Sequence, residues 1–479
     1  MGRKQATAGT ATEAVPTTPT RARVVVVGAG FAGLTLARSL KRAPVDVILV
    51  DQRNYHLFTP LLYQVASSLL NPSEIAQPVR KLVHRIHNCV FRLAEVVDVD
   101  LEHRFIETDE GQISYDYLVV AAGSVSNHFG NETLRRHSLA LKNLPDALAL
   151  RNWVLQRFEM ASWGPDPERR AQLITFAVVG GGPTGVEFAG ALLELIHLVL
   201  SKDFRGVDIS AAQVLLMEAA DELLGSFKPR LRQAATSSPG RRGVTVLLNS
   251  AVQGIESDRL ILADGRVLST SSVVWTAGVR GAPLGTKLAV NPDRSGRVPV
   301  SRSLQLAGHP EVMVVGDLAG LDNLPMLAQV AIQEARLVGG NILAMTEGRE
   351  VAEFQYHDRG IMATVGRNSG IAQIGPFQFS GFIGWVIWLV VHLVNILTFR
   401  ARLLTLLNWA WDYLAVDRPI RLLVGARPTR GLPDPPRCGG VTIRVGRASS
   451  GSATWSGTLP QAAEQSGLVT LAAVSRRCR

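Results

Sequence analysis

The stretch Val178-Val179-Gly180-Gly181-Gly182-Pro183-Thr184-Gly185-Val186-Glu187 contains glycines at the spacing G-x-G-x-x-G, directly after an apolar run. This pattern is typical of a strand that turns sharply into a helix whose N-terminus binds a pyrophosphate. The first glycine permits the tight turn, the second lets the backbone approach the phosphates, and the third lets helix and strand pack closely. The stretch therefore predicts a nucleotide site.

A second copy of the pattern lies upstream, in Val24-Val25-Val26-Val27-Gly28-Ala29-Gly30-Phe31-Ala32-Gly33. One copy alone is weak support, but two copies, each after an apolar run and before a helix-like segment, indicate two dinucleotide-binding units of the α/β class. Transfer of electrons between two bound dinucleotides is the simplest reason for one chain to contain both units.

An acidic residue follows each glycine pattern, at the end of the next predicted strand. Asp51 lies about 20 residues after the first pattern, where a carboxylate suits the 2′-hydroxyl of a ribose. Glu218 follows the second pattern after a longer interval, and it favours NADH over NADPH because a carboxylate repels a 2′-phosphate. The alternative for each is a solvated carboxylate at a strand end, and Arg241 or Arg242 could complicate the choice by reaching the ribose.

Further apolar runs end in small or acidic residues, in the segments Tyr117–Gly123, Ser272–Gly278 and Val312–Asp317. Buried parallel strands end in this way where a backbone passes close to a ligand. An aspartate at the carboxyl end of a strand faces the ligand crevice of an α/β sheet, so Asp317 is predicted to bond a ribityl chain.

The composition of the 479-residue chain is that of a globular protein of roughly two or three domains. Cys89, Cys438 and Cys478 are too scattered for a dithiol redox centre or a disulfide framework, which favours a reduced, cytosol-facing protein. Much of the formal charge of +10 lies near the C-terminus, with nine arginines and two acidic residues from Arg421 onward. This basic tail favours an anionic membrane surface over nucleic acid, because no nucleic-acid-binding module accompanies it.

Together, the two glycine patterns and Gly316-Asp317 resemble the two-dinucleotide flavoprotein disulfide reductase superfamily. Within that superfamily, residues 23–423 look most like the type II NADH:quinone oxidoreductases. The resemblance is carried by Asp51-Gln52-Arg53-Asn54-Tyr55-His56-Leu57-Phe58-Thr59-Pro60-Leu61-Leu62-Tyr63-Gln64-Val65-Ala66, Gly182-Pro183-Thr184-Gly185-Val186-Glu187 and Ala328-Gln329-Val330-Ala331-Ile332-Gln333. It implies FAD in the first unit, NADH in the second, a quinone as acceptor and no metal.

The same resemblance implies roles for individual residues. Gln329 and Gln333 would line a quinone pocket beside the flavin, and their spacing of four places them on one face of a helix. Glu187 would tune or supply protons near the flavin, although an acid predicted in the first turn of a helix is equally expected for structural reasons. Glu334 stands where the family more often has a second glutamine. The residues predicted to bind the cofactors are Gly28, Ala29, Gly30, Phe31, Ala32, Gly33, Asp51, Gln52, Arg53, Ala122, Gly123 and Asp317 for FAD, and Gly180, Gly182, Thr184, Gly185, Glu218, Ala277 and Gly278 for NADH.

The segment Gly381–Phe399 is almost wholly apolar and approaches the roughly 20 residues that a membrane-spanning helix requires. Against a span are the glycines at its start, His392 and Asn395 within it, and a second helix-like segment after it. That second segment contains tryptophans and arginines, which are typical of a membrane interface. We therefore expect helices that bind one membrane face, with a single span or a buried core hairpin as alternatives.

Together with these patterns, the resemblance implies a membrane-associated flavoenzyme of a respiratory chain that oxidises NADH, reduces a quinone and pumps no protons. We expect it at the cytoplasmic face of the inner or plasma membrane, and a homodimer is left open. Rival functions are a sulfide:quinone reductase, which would need paired cysteines near the flavin, a ferredoxin reductase, which would not need the apolar helices, and a non-catalytic NADH-binding flavoprotein. The predicted regions are a flexible extension (1–20), a first FAD-binding part (21–140), an NADH-binding domain (141–289), a second FAD-binding part (290–350), a membrane-anchoring region (351–424) and a basic, disordered tail (425–479).

Overall fold

Strands alternate with short helices in the first part of the chain. A computed structural model describes residues 21–423, except 165, 239–242, 289 and 419. The predicted extensions at 1–20 and 425–479, as well as Arg241 and Arg242, lie outside the described residues. The elements up to residue 126 are, in chain order, β1 (Ala22–Val27), α1 (Phe31–Ser39), β2 (Val45–Asp51), β3 (Tyr55–Leu57), α2 (Leu62–Ala66), α3 (Pro72–Ile75), β4 (Ala76–Pro78), α4 (Val79–Val83), β5 (Cys89–Leu93), β6 (Val96–Asp100), β7 (Phe105–Thr108), β8 (Gly111–Ser114), β9 (Tyr117–Val120) and β10 (Ser124–Ser126).

The middle of the chain repeats this alternation with longer helices. Its elements are α5 (Glu132–His137), β11 (Leu139–Ala140), α6 (Leu144–Trp163), α7 (Pro167–Leu173), β12 (Thr175–Val179), α8 (Pro183–Glu194), a π-helical segment (Leu195–Leu200), α9 (Ser201–Asp203), β13 (Gln213–Met217), α10 (Pro229–Thr236), β14 (Val244–Leu247), β15 (Val252–Glu256), β16 (Arg259–Leu262), β17 (Val267–Ser269), β18 (Ser272–Trp275) and β19 (Val279–Gly281). The remaining elements are β20 (Val298–Pro299), β21 (Gln305–Leu306), β22 (His309–Val314), β23 (Ala319–Gly320), α11 (Ala328–Thr346), β24 (Ile361–Gly366), β25 (Ser369–Ile374), β26 (Phe377–Ser380), α12 (Gly381–Asn395) and α13 (Phe399–Ala415).

The first sheet has the strand order β21-β22-β9-β1-β2-β5, and its pairs are parallel except for β21 with β22. Val24, Val25 and Val26 of β1 are fully buried, because a central parallel strand is covered on both faces. The chain leaves this sheet after β9 and returns to it at β21 and β22, and α11 then packs against α1. The first glycine pattern thus joins the central strand of a sheet to the helix that follows it.

The second sheet has the order β11-β18-β12-β13-β14 and is parallel throughout. Two sheets of this kind confirm the predicted α/β fold with two dinucleotide-binding units. Leu139 in β11 pairs with Val274 in β18, so the second unit begins before residue 141, where the sequence predicted its start. The sequence missed this strand because two residues are too few to show a periodicity.

An antiparallel pair connects the two units where the chain crosses between them. Ser124 in β10 lies opposite Gly281 in β19, and Ser126 lies opposite Val279. Each of these strands follows directly on the small-residue end of a sheet strand, β9 in the first unit and β18 in the second. The two crossings therefore bring the carboxyl ends of both parallel sheets to one region, which is where ligands bind in open α/β sheets.

The helical run Pro183–Asp203 is long and apolar enough to cross a membrane by length and composition. However, 67% of its most apolar window is buried inside the protein, and α8 packs against β13, β14 and β24. The run is therefore a core helix of the second unit, in which the apolar residues cover the sheet.

A three-stranded antiparallel sheet of β24, β25 and β26 precedes the two C-terminal helices, and α12 packs on β24 and β25. The 15 residues of α12 extend only about 22 Å, whereas the hydrocarbon core of a bilayer is about 30 Å thick. Helix α13 begins a few residues later, where the Thr398 side chain accepts a hydrogen bond from the Ala401 N–H. The short first helix and the prompt start of the second argue against the predicted alternative of a single span.

Arg418, just after α13, is 1% exposed and ties the C-terminal helices to the rest of the fold. Its Nη1 donates to the carbonyl oxygens of Ser67 and Ala191, both at 3.0 Å. Its Nη2 lies 3.0 Å from Glu194 and its Nε lies 3.1 Å from Asp412. A buried guanidinium is tolerated only when its donors are paired in this way, so the end of α13 is fixed against α2 and α8.

Candidate functional site

The glycines of the first pattern divide into two that the fold requires and one that faces open space. Gly28 has φ +104°, and a Cβ there would overlap the carbonyl oxygen of Ala121. A Cβ at Gly33 would overlap the carbonyl oxygen of Gly28. No atom lies within 4 Å of the position that a Cβ would occupy at Gly30. Room for a ligand therefore exists at the middle glycine, in front of the N-terminus of α1.

Asp51 and a histidine hold the residue between these glycines. The Ala29 N–H donates to Asp51 Oδ2 at 2.6 Å, and the Arg53 N–H donates to Asp51 Oδ1 at 2.7 Å. Burial raises the pKa of Asp51, while these two hydrogen bonds oppose that rise. His56 lies 2.9 Å from the Ala29 carbonyl through Nδ1, which carries the proton because a carbonyl can only accept. The predicted Gln52 side chain is exposed.

The second glycine pattern repeats this geometry. Gly180 has φ +115°, and a Cβ there would lie 2.7 Å from the carbonyl carbon of Thr276. A Cβ at Gly185 would overlap the carbonyl oxygen of Gly180, whereas the Cβ position at Gly182 has no atom within 4 Å. Thr184 is exposed beside this space, in the first turn of α8. The second turn is therefore shaped for a phosphate in the same way as the first.

Glu218 holds the second turn as Asp51 holds the first. Its Oε2 accepts from the Gly181 N–H at 2.6 Å, and its Oε1 accepts from the Ala220 N–H at 2.9 Å. The long interval after Gly185 is filled by the π-helical segment, α9 and a loop, and the carboxylate still reaches the glycine turn. Sequence analysis predicted the ribose contact for Glu218 but missed these bonds to the turn itself.

Small residues follow strand β9 of the first sheet and strand β18 of the second sheet. Gly123 has φ +69° with open space at its Cβ position, and Ala122 precedes it. In the second unit, Ala277 precedes Gly278, which has φ +104°. These positive φ values favour glycine, so the backbone is exposed where a ligand would pass.

Asp317 belongs to a cluster with Ser124 of the first crossing, β10, and Lys142 of the second unit. Ser124 Oγ donates to Asp317, and Lys142 Nζ donates to Ser124 Oγ at 2.7 Å and lies 3.6 Å from Asp317. The neighbouring Gly316 N–H donates to Glu334 Oε2 at 2.5 Å. Burial raises the pKa of Glu334 to about 8, a rise that this hydrogen bond opposes. Glu334 therefore belongs to the Gly316-Asp317 turn, and not to the pair of glutamines that precede it on α11.

Gln329 and Gln333 lie on one face of α11, and both side chains pair with the backbone of the segment before β24. Gln329 donates to the Gly360 carbonyl at 3.1 Å and accepts from the Arg359 N–H at 3.0 Å. Gln333 donates to the His357 carbonyl at 3.0 Å and accepts from the His357 N–H at 3.1 Å. Each amide keeps a second N–H for another acceptor.

Glu187 is the fifth residue of α8, so the prediction that it lies in the first turn is wrong, because the helix begins at Pro183. Its side chain is 9% exposed. Glu187 Oε1 accepts both from the Thr364 N–H and from Trp388 Nε1, each at 3.1 Å. Burial raises the pKa of Glu187 to about 8, and these hydrogen bonds limit the rise. The carboxyl group is therefore mostly neutral at pH 7 and able to hold a transferable proton.

Comparison with known proteins agrees with this geometry. Residues 22–335 match the pyridine nucleotide-disulphide oxidoreductase family. The chain is 41% identical over 415 residues to the type II NADH:quinone oxidoreductase Ndh of Mycobacterium tuberculosis, covering 84% of this chain and 90% of that one. It is 30% identical over 374 residues to the type II NADH:quinone oxidoreductase of Staphylococcus epidermidis, covering 75% and 92%. The chain belongs to the type II NADH:quinone oxidoreductases.

A solved structure supports the fold of this type II oxidoreductase. The structure of NDH2 from Plasmodium falciparum in complex with NADH superposes with a TM-score of 0.77 and covers 85% of this chain and 100% of that one, at 19% identity. The family implies FAD and NADH, and the residues of this chain fit both. Each glycine turn has open space only at its middle glycine, with a carboxylate holding the turn behind it.

The two middle glycines should separate the two cofactors. We expect Gly30→Val to fold but to lack FAD, because the new side chain fills space that no protein atom occupies. Gly182→Val should keep FAD and lose at least about 90% of flavin reduction by NADH, because the same change falls at the other turn. Flavin absorbance of the purified variants and stopped-flow bleaching by NADH measure the two effects. Normal FAD content in Gly30→Val would contradict the assignment.

Glu218→Gln should weaken discrimination between NADH and NADPH. Removing the charge lowers the repulsion of a 2′-phosphate, while the lost acceptor loosens the turn and raises the KM for NADH. We expect the ratio of kcat/KM for NADPH to that for NADH to rise roughly tenfold. Glu222→Gln is the matched control, because Glu222 is nearby but pairs with Arg232. Equal ratios in wild type and in Glu218→Gln would leave Glu218 a structural residue only.

Proposed function

We propose that this chain oxidises NADH and reduces a quinone at a membrane surface, without pumping protons. The observation that carries the proposal is the pair of matching dinucleotide turns, whose sheets present their carboxyl ends to one region. The chemistry that FAD supplies when bound is to accept a hydride from NADH and to pass two electrons to the quinone. The overall reaction takes up one proton for each NADH oxidised, as the quinone becomes a quinol.

Residues of the chain would orient the reactants and supply the proton. Glu187 is neutral below a pH of about 8, so it can donate a proton when a quinone oxygen gains negative charge. Gln329 and Gln333, which have one N–H each beyond their backbone pairs, are proposed to hold the quinone carbonyl groups. Activity that depends on neutral Glu187 falls as the pH rises through about 8, because the carboxylate has no proton to give.

The rival acceptors have less support in the described residues. A sulfide:quinone reductase needs paired cysteines, and within the described part of the chain the free cysteine is Cys89 on β5. Burial raises the pKa of its thiol to about 11, which makes it a poor nucleophile. A ferredoxin reductase has no use for two helices with apolar outer faces. A non-catalytic flavoprotein would not need a buried neutral acid beside β24.

The outer faces of α12 and α13 support the proposed membrane site. Large apolar side chains are exposed at i, i+4 and i+8 spacing on α12 and along α13, which is the arrangement of a helix lying in a membrane interface. Arg400 is exposed in the first turn of α13, where it can meet lipid headgroups. We propose that these faces bind the cytoplasmic side of the inner or plasma membrane. The exposed residues are Phe382, Ile383, Val386, Val390, Val394, Phe399, Leu403, Leu406, Leu407, Trp411, Tyr413 and Leu414.

Steady-state oxidation of NADH with and without a soluble short-chain quinone tests the reaction. Under anaerobic conditions we expect sustained oxidation only with quinone, with one quinol formed for each NADH consumed. Flavin reduction by NADH should occur in both cases, because it needs no acceptor. Flavin that is reduced by NADH but is not reoxidised by any quinone would exclude this function and favour another acceptor or a non-catalytic role.

Replacing Phe382, Val390 and Leu414 by Ser tests the membrane site. Each of these exposed side chains would lose about 1.5–3 kcal/mol of apolar burial, so membrane affinity should fall by at least about 100-fold. Co-sedimentation with vesicles containing anionic lipid measures the loss. The matched control is Val90→Ser with Val97→Ser, since these residues are similarly exposed but lie on β5 and β6. Equal membrane binding of both variants would contradict the proposal.

A further inference from the structure

Trp388 is a buried residue of α12 that connects the C-terminal helices with Glu187. It is 1% exposed, although Val386 and Val390 on the same helix are 37% and 55% exposed. Its indole Nε1 donates to Glu187 Oε1 at 3.1 Å across a sequence separation of 201 residues. The helix therefore presents one face outward and uses the other to contact the acid.

Two hydrogen bonds to Glu187, one from the backbone and one from an indole, are made to the same oxygen, and the Thr364 side chain makes a further hydrogen bond to the carboxyl group. The Thr364 N–H and the Trp388 Nε1–H point at Oε1 and can only donate. In a neutral carboxyl group, the protonated oxygen carries its hydrogen outward, and a second donor aimed at that oxygen would meet it unfavourably. The two donors therefore favour Oε1 as the carbonyl-type oxygen and leave the proton on Oε2.

The indole itself is held in place by its neighbours. The His392 ring stacks on Trp388 at 4.1 Å between ring centroids, and His392 Nδ1 donates to the Trp388 carbonyl at 2.8 Å. Tyr63 and Trp409 pack against the same indole at 6.3 and 5.9 Å. Because these contacts fix the ring, its N–H cannot follow Glu187 if the carboxyl group turns.

Of the titratable groups around this cluster, two are neutral near pH 7 and a third is held in a buried ion pair. Burial lowers the pKa of His392 to about 4, so the ring stays neutral. The pKa of Tyr63, which hydrogen-bonds the Thr364 hydroxyl at 3.0 Å, is raised by burial. Glu194 lies on the same helix as Glu187 and is paired with Arg418. Burial raises the pKa of Glu194 as well, and its pairing with Arg418 opposes that rise, whereas the pKa of Glu187 is raised to about 8.

We propose that Trp388 is a positioning residue of the quinone half-reaction, which keeps Oε1 of Glu187 as an acceptor so that the transferable proton stays on Oε2. The proposal rests on the function proposed above, in which Glu187 donates that proton. A helix that faces the membrane on one side thereby sets the orientation of the acid on its other side.

Trp388→Phe tests the proposal because it keeps an aromatic ring and removes the N–H. The lost hydrogen bond favours the ionised acid, so its removal should raise the pKa of Glu187 and shift the alkaline limb of quinone reduction upward by about one pH unit. The plateau kcat for quinone should fall roughly tenfold, because the proton is no longer held in one orientation. Single-turnover flavin reduction by NADH should be unchanged.

Trp385→Phe is the matched control on the same helix, since its ring packs on Phe382 and Tyr413 instead. It should leave the pH profile unchanged. In a Glu187→Gln background, Trp388→Phe should have no further effect on rate or pH profile, because its partner no longer titrates. An additive loss in that background would show that Trp388 serves the fold alone.

A variant that keeps the shape of the indole guards against misfolding. If Trp388→Phe loses FAD, 3-benzothienyl-alanine at position 388 replaces the N–H by sulfur at nearly constant volume, and it should give the same pH shift. An unshifted limb in this variant, with wild-type kcat, would overturn the proposal. Absence of quinone reduction in the wild type would instead overturn the proposed function.

Discussion

The hydrogen bonds from two strand-end carboxylates to two glycine turns are the interactions on which both nucleotide sites depend. Asp51 accepts from the Ala29 N–H and Glu218 accepts from the Gly181 N–H, in each case at 2.6 Å. A glycine-rich turn has the least conformational restriction of any segment, so it needs an external partner to hold one shape. The carboxylate provides that partner for the second residue of each turn, while the N–H groups of Gly28 and Gly180 donate to the carbonyls of Val50 and Met217. The same solution in both sheets explains why two different dinucleotides can be bound by one type of local structure.

The features of the two nucleotide sites that the sequence predicted are formed by residues close together along the chain. The glycine spacing, the apolar strands and the acid at the next strand end are local, so the two units and the place of Asp51 at a strand end could be predicted directly, whereas its ribose contact stays a prediction. The interval after Gly185 was longer than the usual one, and yet Glu218 reaches the turn, because inserted helical residues lie outside the sheet. The number of residues between two strands is thus a weaker constraint on the position of Glu218 than the order of the strands in the sheet.

The parts that the sequence missed are made by residues far apart. Trp388 and Thr364 meet Glu187 across 201 and 177 residues, and no periodicity within one segment could reveal that contact. Glu187 was predicted as a site residue in the first turn of its helix, but it lies in the second turn. The difference matters because an acid in the first turn is solvated, whereas Glu187 is buried and desolvated. For Gln329 and Gln333 the helix face was predicted, whereas their pairing with residues 357–360 was not.

The buried ion pairs of Arg418 have a consequence for engineering a soluble form of this protein. Cutting the chain before α12 would leave Glu194 without its cation inside the fold, and breaking a buried pair in this way costs about 3–5 kcal/mol. Domains are stable by only about 5–15 kcal/mol, so the shortened chain would lose much of its reserve. Helices α12 and α13 are part of the structural core on their inner side. A more soluble form therefore requires polar substitutions at individual exposed apolar residues on the outer face of these helices. The residues on their inner face have to be kept.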